Sequence, residues 1–238
     1  MEIQIAVAKV HKYAVSESGD TVEVIERPGG GLSVVLVDGQ SSGRGAKHVS
    51  NLVARKVVSL LAEGVRDGAA ARAASDSLFV ERGGRVSATL NIFSVDFRTR
   101  TLVITRNNPA PVLLFVNGQT HMLESECKPV GLYANTRPWI IEHDIQPNLT
   151  AVMYTDGLIH AGKRRCMPMD VAAVFEELMQ DEPAPPQWVA DSLLEHALRL
   201  DENRPADDIS VVVIGMRHQT DESPIRRMQV RLPVPLVL

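Results

Sequence analysis

Aspartates at the boundaries of predicted strands are the residues of this chain that are best suited to carry out chemistry. Taken singly, each has an ordinary explanation, because aspartate is common in turns and at the starts of helices. Taken together they indicate a metal site, since carboxylates gathered at one edge of a sheet repel one another unless cations neutralise them. The aspartates in this setting are Asp20, Asp38, Asp156, Asp207 and Asp208.

Asp38 is the most constrained of these acids. It follows the run Leu32–Val37, in which five of six residues are aliphatic, and it precedes a glycine-rich turn. A carboxylate at the mouth of a buried strand is poorly solvated and needs a cation or hydrogen bonds. Oxygen ligands favour Mg²⁺ or Mn²⁺ over zinc. Two such ions about 4 Å apart lower the pKa of a bridging water and hold a phosphoryl group for in-line attack.

The elements that must position these acids are mainly short strands. Apolar or alternating runs separated by turn signals, such as Asn117-Gly118, predict antiparallel hairpins rather than strand–helix–strand crossovers. Amphipathic runs between them predict four helices. We expect strands at residues 3–10, 21–27 and 32–37, several between 86 and 154, and a last strand at 209–216, with helices near 46–63, 67–81, 168–180 and 187–201.

Length and composition limit the class of protein. The chain has 238 residues, 45% hydrophobic residues and a net charge of −4, which is typical of one soluble domain and unlike a nucleic-acid-binding protein. No stretch approaches the roughly 20 apolar residues of a membrane span, and the N-terminus does not resemble a signal peptide. We therefore expect a cytoplasmic protein that binds neither nucleic acid nor membranes, with Cys127 and Cys166 as free thiols.

A competing interpretation comes from the glycine-rich turn itself. Gly39, Ser41 and Gly43 match the G-x-S-x-G elbow of α/β-hydrolases, and they lie between a predicted strand and a predicted helix. That elbow belongs to a mostly parallel sheet, with a later acid and histidine completing a catalytic triad. The antiparallel pattern at residues 86–154 disfavours a hydrolase, and His218 lies beyond the last predicted strand.

The ordered set of motifs resembles the metal-dependent PPM protein phosphatases, specifically their SpoIIE-like bacterial branch. The resemblance covers about residues 5–216 and implies an α+β fold of the PP2C type, a four-layer α-β-β-α sandwich in which helix pairs flank two antiparallel sheets. The motifs are Ser18-Gly19-Asp20, VDGQSSGRGA at 37–46, SATLNIFSVD at 87–96, TRNNPAPVLL at 105–114, PVGL at 129–132, YTDGLIHA at 154–161 and ADDISVVVIG at 206–215.

The resemblance also implies roles for individual residues. Asp38 is similar to the acid that bridges two Mn²⁺ or Mg²⁺ ions, and the Gly39 carbonyl to the backbone ligand beside it. Asp156 and one member of the Asp207–Asp208 pair are similar to further ligands, with the pattern favouring Asp207. Asp20 resembles the N-terminal acid that serves the second ion.

Arg44 lies close to Asp38 in the sequence, so its guanidinium could contact substrate phosphate. A solvated arginine at a helix start is an equally good explanation.

Two departures from the family pattern affect the expected site. Glu23 stands where a second aspartate often occurs, which implies weaker metal binding on the side of Asp20. Position 160 is His160, where many members carry glutamate. All of the matched aspartates are present.

The implied function is hydrolysis of phosphoserine or phosphothreonine on a bacterial regulatory protein of the partner-switching, stress or sporulation type. We expect residues 1–217 to form the phosphatase domain and residues 218–238 a tail that could pack on it. The alternative is a regulatory module that keeps the fold with weak catalysis and holds a phosphoprotein partner.

Overall fold

Two antiparallel sheets of five strands each form the centre of the molecule in the computed structural model, which describes residues 1–180, 184–219 and 225–233. Sheet A has the order β1-β10-β9-β6-β7, and sheet B has the order β2-β3-β4-β5-β8. The strands of sheet A are β1 (Glu2–Val10), β6 (Val112–Val116), β7 (Gln119–Leu123), β9 (Thr150–Tyr154) and β10 (Ile209–Arg217). The strands of sheet B are β2 (Asp20–Glu26), β3 (Leu32–Gly39), β4 (Ala88–Asp96), β5 (Thr101–Asn107) and β8 (Trp139–Asp144).

Helices cover the outer face of each sheet. On sheet B lie α1 (Gly43–Ala62) and α2 (Asp67–Arg82), and on sheet A lie α3 (Asp156–His160), α4 (Val171–Leu178) and α5 (Pro186–Leu200). A 3₁₀ turn, Lys163–Arg165, follows α3. This arrangement confirms the predicted α-β-β-α sandwich. Within the described part of the chain, every helix is too short or too polar to cross a lipid bilayer.

Strand β3 shows why the sequence around Asp38 is continuously apolar. Val34 and Leu36 pack into the apolar layer between the two sheets. Val35 and Val37 point to the opposite face, where they pack against α1 and α2. Because successive side chains of a strand alternate between faces, a strand covered on both sides must be apolar at every position. The run therefore places Asp38 at the end of a fully buried strand.

The predicted elements occur in the predicted order, with changes at their boundaries. The interpretation of Asp156 as the last residue of a strand is wrong, because β9 ends at Tyr154 and Asp156 opens the short helix α3. Among the described residues every strand pair is antiparallel, so the parallel sheet that a hydrolase elbow requires is not found there.

The predicted tail begins where β10 ends, at Arg217. In the described part of the tail, residues 225–233 are exposed and irregular, and Arg226 Nη1 lies 3.3 Å from Glu26 Oε1. The rest of the tail prediction concerns residues 220–224 and 234–238, which lie outside the described residues.

Candidate metal centre

The aspartates meet where the edges of the two sheets face each other. Asp20 at the start of β2 lies directly opposite Asp38 near the end of β3 in sheet B. In sheet A, Asp156 follows β9 and Asp207 precedes the neighbouring antiparallel strand β10. The expectation that these residues lie at one edge of a single sheet is therefore wrong, because each sheet contributes one pair of acids.

Glycines allow the backbone to approach closely at this junction. A Cβ on Gly39 would lie 2.1 Å from the Ala46 carbonyl oxygen, so only glycine lets the first turns of α1 lie against the end of β3. A Cβ on Gly157 would lie 2.0 Å from the Asp208 carbonyl oxygen. The Asp-Gly pairs of the sequence thus reflect close packing at the site as well as turn chemistry.

The surroundings of Asp38 show that the four acids converge. Burial raises the pKa of the Asp38 carboxyl strongly above its ordinary value, and the negative charges of Asp20, Asp156 and Asp207 raise it further. Burial also raises the pKa of Asp207, and the negative charge of Asp156 acts in the same direction. Without cations the cluster is therefore electrostatically unfavourable when it is fully ionised.

Asp20 is fully buried and is fixed by groups from sheet A. Its Oδ2 accepts hydrogen bonds from the Ser210 hydroxyl at 2.6 Å and the Thr155 hydroxyl at 3.1 Å. Its backbone carbonyl accepts from the ammonium groups of Lys9 and Lys47, at 2.5 and 2.6 Å. Burial raises the pKa of the Asp20 carboxyl, while the Ser210 hydrogen bond opposes that rise.

The neighbouring residues Asp207 and Asp208 have different surroundings. Both carboxylate oxygens of Asp208 accept backbone N–H groups, one from Lys12 at 2.9 Å and one from Gly19 at 2.8 Å. Asp208 therefore holds the segment before β2 against the start of β10. Asp207 accepts one hydrogen bond, from the backbone N–H of Asp208 at 3.0 Å, and is only partly buried.

His160 joins the outer side of the cluster. Its Nδ1 lies 3.8 Å from Asp156 Oδ2, and one ligand atom from each of Asp156, His160 and Asp207 lies within 4.8 Å of the others. The side chains of Asp156 and His160 are 48% and 39% exposed, so they are open to solvent. The sequence signal for this contact is the four-residue spacing between Asp156 and His160, because residues four apart share one face of a helix.

Two other residues from the sequence analysis lie on the surface. One is Arg44, which was considered as a phosphate contact, and the other is Glu23, which replaces an aspartate of the family pattern. Arg44 is exposed in the first turn of α1, so its side chain is free to reach a ligand from solvent. Glu23 is exposed on β2, and since it lies three residues from Asp20 it faces the opposite side of the strand.

Three further residues support the site: Lys9, Lys47 and the buried Asn108. The two lysines lie outside the sequence motifs, whereas Asn108 lies within TRNNPAPVLL at 105–114 and had no predicted role. The Asn108 amide donates to the Tyr154 carbonyl at 3.1 Å, two residues before Asp156, and its side-chain oxygen accepts from the Ala110 N–H at 2.9 Å. The loop after β5 thereby fixes the end of β9.

The donor set fits hard divalent cations. It contains the carboxylates of Asp20, Asp38, Asp156 and Asp207, with the Gly39 carbonyl beside them. In the described structure, Asp20 Oδ1 is buried without a hydrogen-bond partner. A buried carboxylate oxygen that has no donor is the kind of atom that a cation satisfies.

Comparison with protein families identifies relatives of this chain. The model of Stage II sporulation protein E (SpoIIE) matches residues 28–217. The Priestia megaterium Stage II sporulation protein E is 20% identical over 219 residues, which are 92% of this chain and 37% of the relative. The Bacillus subtilis protein is 20% identical over 221 residues, covering 92% of this chain and 26% of the relative. The chain thus spans well under half the length of these relatives.

Solved structures share the fold. The PP2C phosphatase domain of SpoIIE from Bacillus subtilis, solved with a fragment of its regulatory domain, has a TM-score of 0.79 at 18% identity, covering 91% of this chain and 64% of that one. The structure of the RsbU and RsbW domains of a Mycobacterium tuberculosis protein has a TM-score of 0.75 at 20% identity. The match covers 92% of this chain and 61% of that one. The catalytic domain of the serine/threonine phosphatase PstP, solved with two manganese ions, has a TM-score of 0.68 at 16% identity. The match covers 91% of this chain and 99% of that one. The chain therefore belongs to the Stage II sporulation protein E family, and its fold is that of the PP2C-type phosphatases.

Proposed function

We propose that this protein is a metal-dependent protein serine/threonine phosphatase. The observation that carries the proposal is the convergence of Asp20, Asp38, Asp156 and Asp207, whose mutual repulsion and burial raise the pKa of Asp38. Such a cluster is unstable as four free carboxylates and becomes favourable when Mn²⁺ or Mg²⁺ ions are bound. Family membership and the PP2C-type fold support the same activity.

Each acid has a distinct proposed role. Asp38 is affected by the charges of its strand partner Asp20 and of Asp156 and Asp207 from sheet A, so it would be the ligand shared by two ions, with the Gly39 carbonyl beside it. Asp156 and Asp207 hold one ion from sheet A, and Asp20 serves the other from sheet B. We assign Asp207 rather than Asp208 as the direct ligand, because both oxygens of Asp208 already accept backbone hydrogen bonds.

The reaction follows from this arrangement. The four aspartates would hold a pair of divalent ions, which would supply an activated water nucleophile and neutralise phosphoryl oxygens, so that no phosphorylated enzyme intermediate would be needed. The exposed guanidinium of Arg44 binds a further phosphoryl oxygen from the solvent side. The lysines at the Asp20 carbonyl place positive charge beside the cluster and keep that backbone in position.

The proposed substrate is phosphoserine or phosphothreonine on a bacterial regulatory protein in the cytoplasm. The 48% exposure of Asp156 supports this choice, because a phosphate on a protein surface can reach an open site. The similarity to RsbU and SpoIIE domains supports a partner-switching context. We place the catalytic domain at residues 1–217, which include every proposed ligand.

The test is phosphate release from p-nitrophenyl phosphate and a phosphoserine peptide, with and without Mn²⁺, for wild type, Asp38→Asn and Asp156→Asn. We expect metal-dependent release that falls by more than about 100-fold in Asp38→Asn, exceeding the effect typical of residues that only support a ligand. Asp144→Asn, at the exposed end of β8, is the matched control and should keep the wild-type rate.

Two results would contradict the proposal. A near wild-type rate in folded Asp38→Asn would exclude a shared aspartate ligand. Absence of release at any Mn²⁺ concentration, with wild type shown to be folded, would instead favour the regulatory module that holds a phosphoprotein without turnover.

A further inference from the structure

An imidazole lies among the carboxylates of the outer side of the site. His160 is one helical turn after Asp156 on α3, so both side chains lie on the same face of that helix. Asp207 approaches the same point from the loop before β10. One ligand atom from each of the three residues lies within 4.8 Å of the other two.

The separation between the imidazole of His160 and the carboxylate of Asp156 is comparable with the dimensions of a coordination sphere. In a six-coordinate site with bonds of about 2.1 Å, ligand atoms lie roughly 3 Å apart when adjacent and about 4 Å apart when opposite. The 3.8 Å between His160 Nδ1 and Asp156 Oδ2 lies within that range, and it is too long for a hydrogen bond. The two groups are thus separated as ligands of one ion would be.

The surroundings of His160 leave its ring free for such a role. The ring is 39% exposed, and its Nδ1 lies 3.8 Å from Asp156 Oδ2. Its neighbours on the helix, Gly157 and Leu158, are buried and fix the direction of α3. An ion entering from solvent would therefore meet the imidazole and the two carboxylates together.

We propose that His160 is a direct nitrogen ligand of the ion held by Asp156 and Asp207, and that this nitrogen makes the site select Mn²⁺ over Mg²⁺. The inference rests on the proposed metal centre. Mg²⁺ takes oxygen ligands and gives up its waters reluctantly, whereas first-row transition ions accept imidazole readily. Replacing one oxygen position by nitrogen therefore costs Mg²⁺ more than Mn²⁺.

The direct test is pulsed electron paramagnetic resonance of the Mn²⁺-loaded full chain, which detects a nitrogen bound to the ion. We expect the nitrogen coupling in wild type, its loss in His160→Ala, and its retention in His121→Ala. His121 is the matched control, because it is exposed on β7 at the far edge of sheet A. Circular dichroism of each variant confirms that it is folded.

Calorimetric titration with Mn²⁺ and with Mg²⁺ tests the selectivity. We expect His160→Ala to weaken Mn²⁺ binding at least about tenfold. His160→Glu, which restores an oxygen ligand, should bind both ions and lower the ratio of Mn²⁺ to Mg²⁺ affinity at least about tenfold.

A nitrogen coupling that persists in His160→Ala, or an unchanged affinity ratio in His160→Glu, would overturn the inference while leaving the metal centre intact. Absence of Mn²⁺ binding in wild type would overturn the metal centre and the inference together. Activity with Mn²⁺ in a wild type that shows no nitrogen coupling would overturn the role of His160 alone.

Discussion

The acidic cluster has two parts with opposite surroundings. The inner acids, Asp20 and Asp208, are buried and receive hydrogen bonds from hydroxyl or backbone N–H groups of other segments. The outer acids, Asp156 and Asp207, are partly exposed and have few partners. The difference indicates that the inner acids hold the edges of the two sheets together, whereas the carboxylates of the outer acids remain open to solvent. Of the inner acids, Asp20 keeps one buried carboxylate oxygen, Oδ1, without a hydrogen-bond partner in the described structure.

The inner acids act across long distances in the sequence. Asp20 in sheet B accepts hydrogen bonds from Thr155 and Ser210, which lie beside β9 and in β10 of sheet A. Asp208 beside sheet A accepts from Gly19, which lies next to Asp20. These reciprocal contacts fix the gap between the sheets, and that gap sets the distance of the outer acids beside sheet A from Asp38 in sheet B.

The comparison of Asp208→Ala with Asp207→Ala should give the largest contrast. Losing Asp208 leaves two backbone N–H groups unpaired, so we expect the free energy of unfolding to fall by about 3 kcal/mol. Losing Asp207 removes one hydrogen bond and should cost less than about 1 kcal/mol. Urea unfolding of the two variants measures both values.

Mn²⁺ titration of the same pair should show the reverse order. Asp207→Ala should weaken Mn²⁺ binding by at least about tenfold, whereas Asp208→Ala that remains folded should bind almost as wild type does. Equal losses of stability and of affinity in the two variants would remove the distinction between inner and outer acids.

The stabilisation by Mn²⁺ should grow as pH rises. Burial raises the pKa of Asp38, so the folded metal-free protein keeps a proton that the unfolded chain has released, and its stability falls as pH rises. Metal binding displaces that proton and becomes more favourable as pH rises. When the free Mn²⁺ concentration is about 100 times the dissociation constant, binding adds about 2.7 kcal/mol to the free energy of unfolding.

Thermal unfolding with and without Mn²⁺, between about pH 5.5 and pH 7.5, checks this expectation. A midpoint shift that is as large at the acidic end as at the neutral end would contradict it. Such a result would mean that ions bind without displacing protons from the cluster.

A smaller effect is expected from Ser210→Ala. The Ser210 hydroxyl is buried and donates to Asp20 Oδ2, so its loss should lower the free energy of unfolding by about 1–2 kcal/mol. Ser59→Ala, on the exposed face of α1, is the control and should change stability little. If the two variants have the same stability, the inner acid Asp20 does not depend on sheet A.

The smallest effect concerns the turn after Asp38. Ser41 has a φ of 79°, in the left-handed region that disfavours residues with a Cβ. We expect Ser41→Gly to raise the free energy of unfolding by about 0.5 kcal/mol, after the entropy lost by glycine is included. Ser42→Gly, where φ is −141°, is the control and should bring no gain in chemical unfolding.

Local patterns determined the elements and the candidate acids. The aliphatic run before Asp38 predicted a strand buried on both faces, and turn signals predicted antiparallel hairpins. Both predictions are confirmed, because they depend on side-chain periodicity over a few residues. The ordered motifs also identified the family, and the fold of that family predicted the four α-β-β-α layers.

The tertiary structure decided how the acids are used. Asp208 differs from Asp207 because it meets Lys12 and Gly19, which are distant in the sequence, and local periodicity carries no information about such contacts. His160 lies near Asp156 because β9 ends at Tyr154 and the chain then forms α3, in which residues four apart share one face. The sequence by itself supplied the candidate acids, and the packing of the two sheets determined which of them are buried and which are open to solvent.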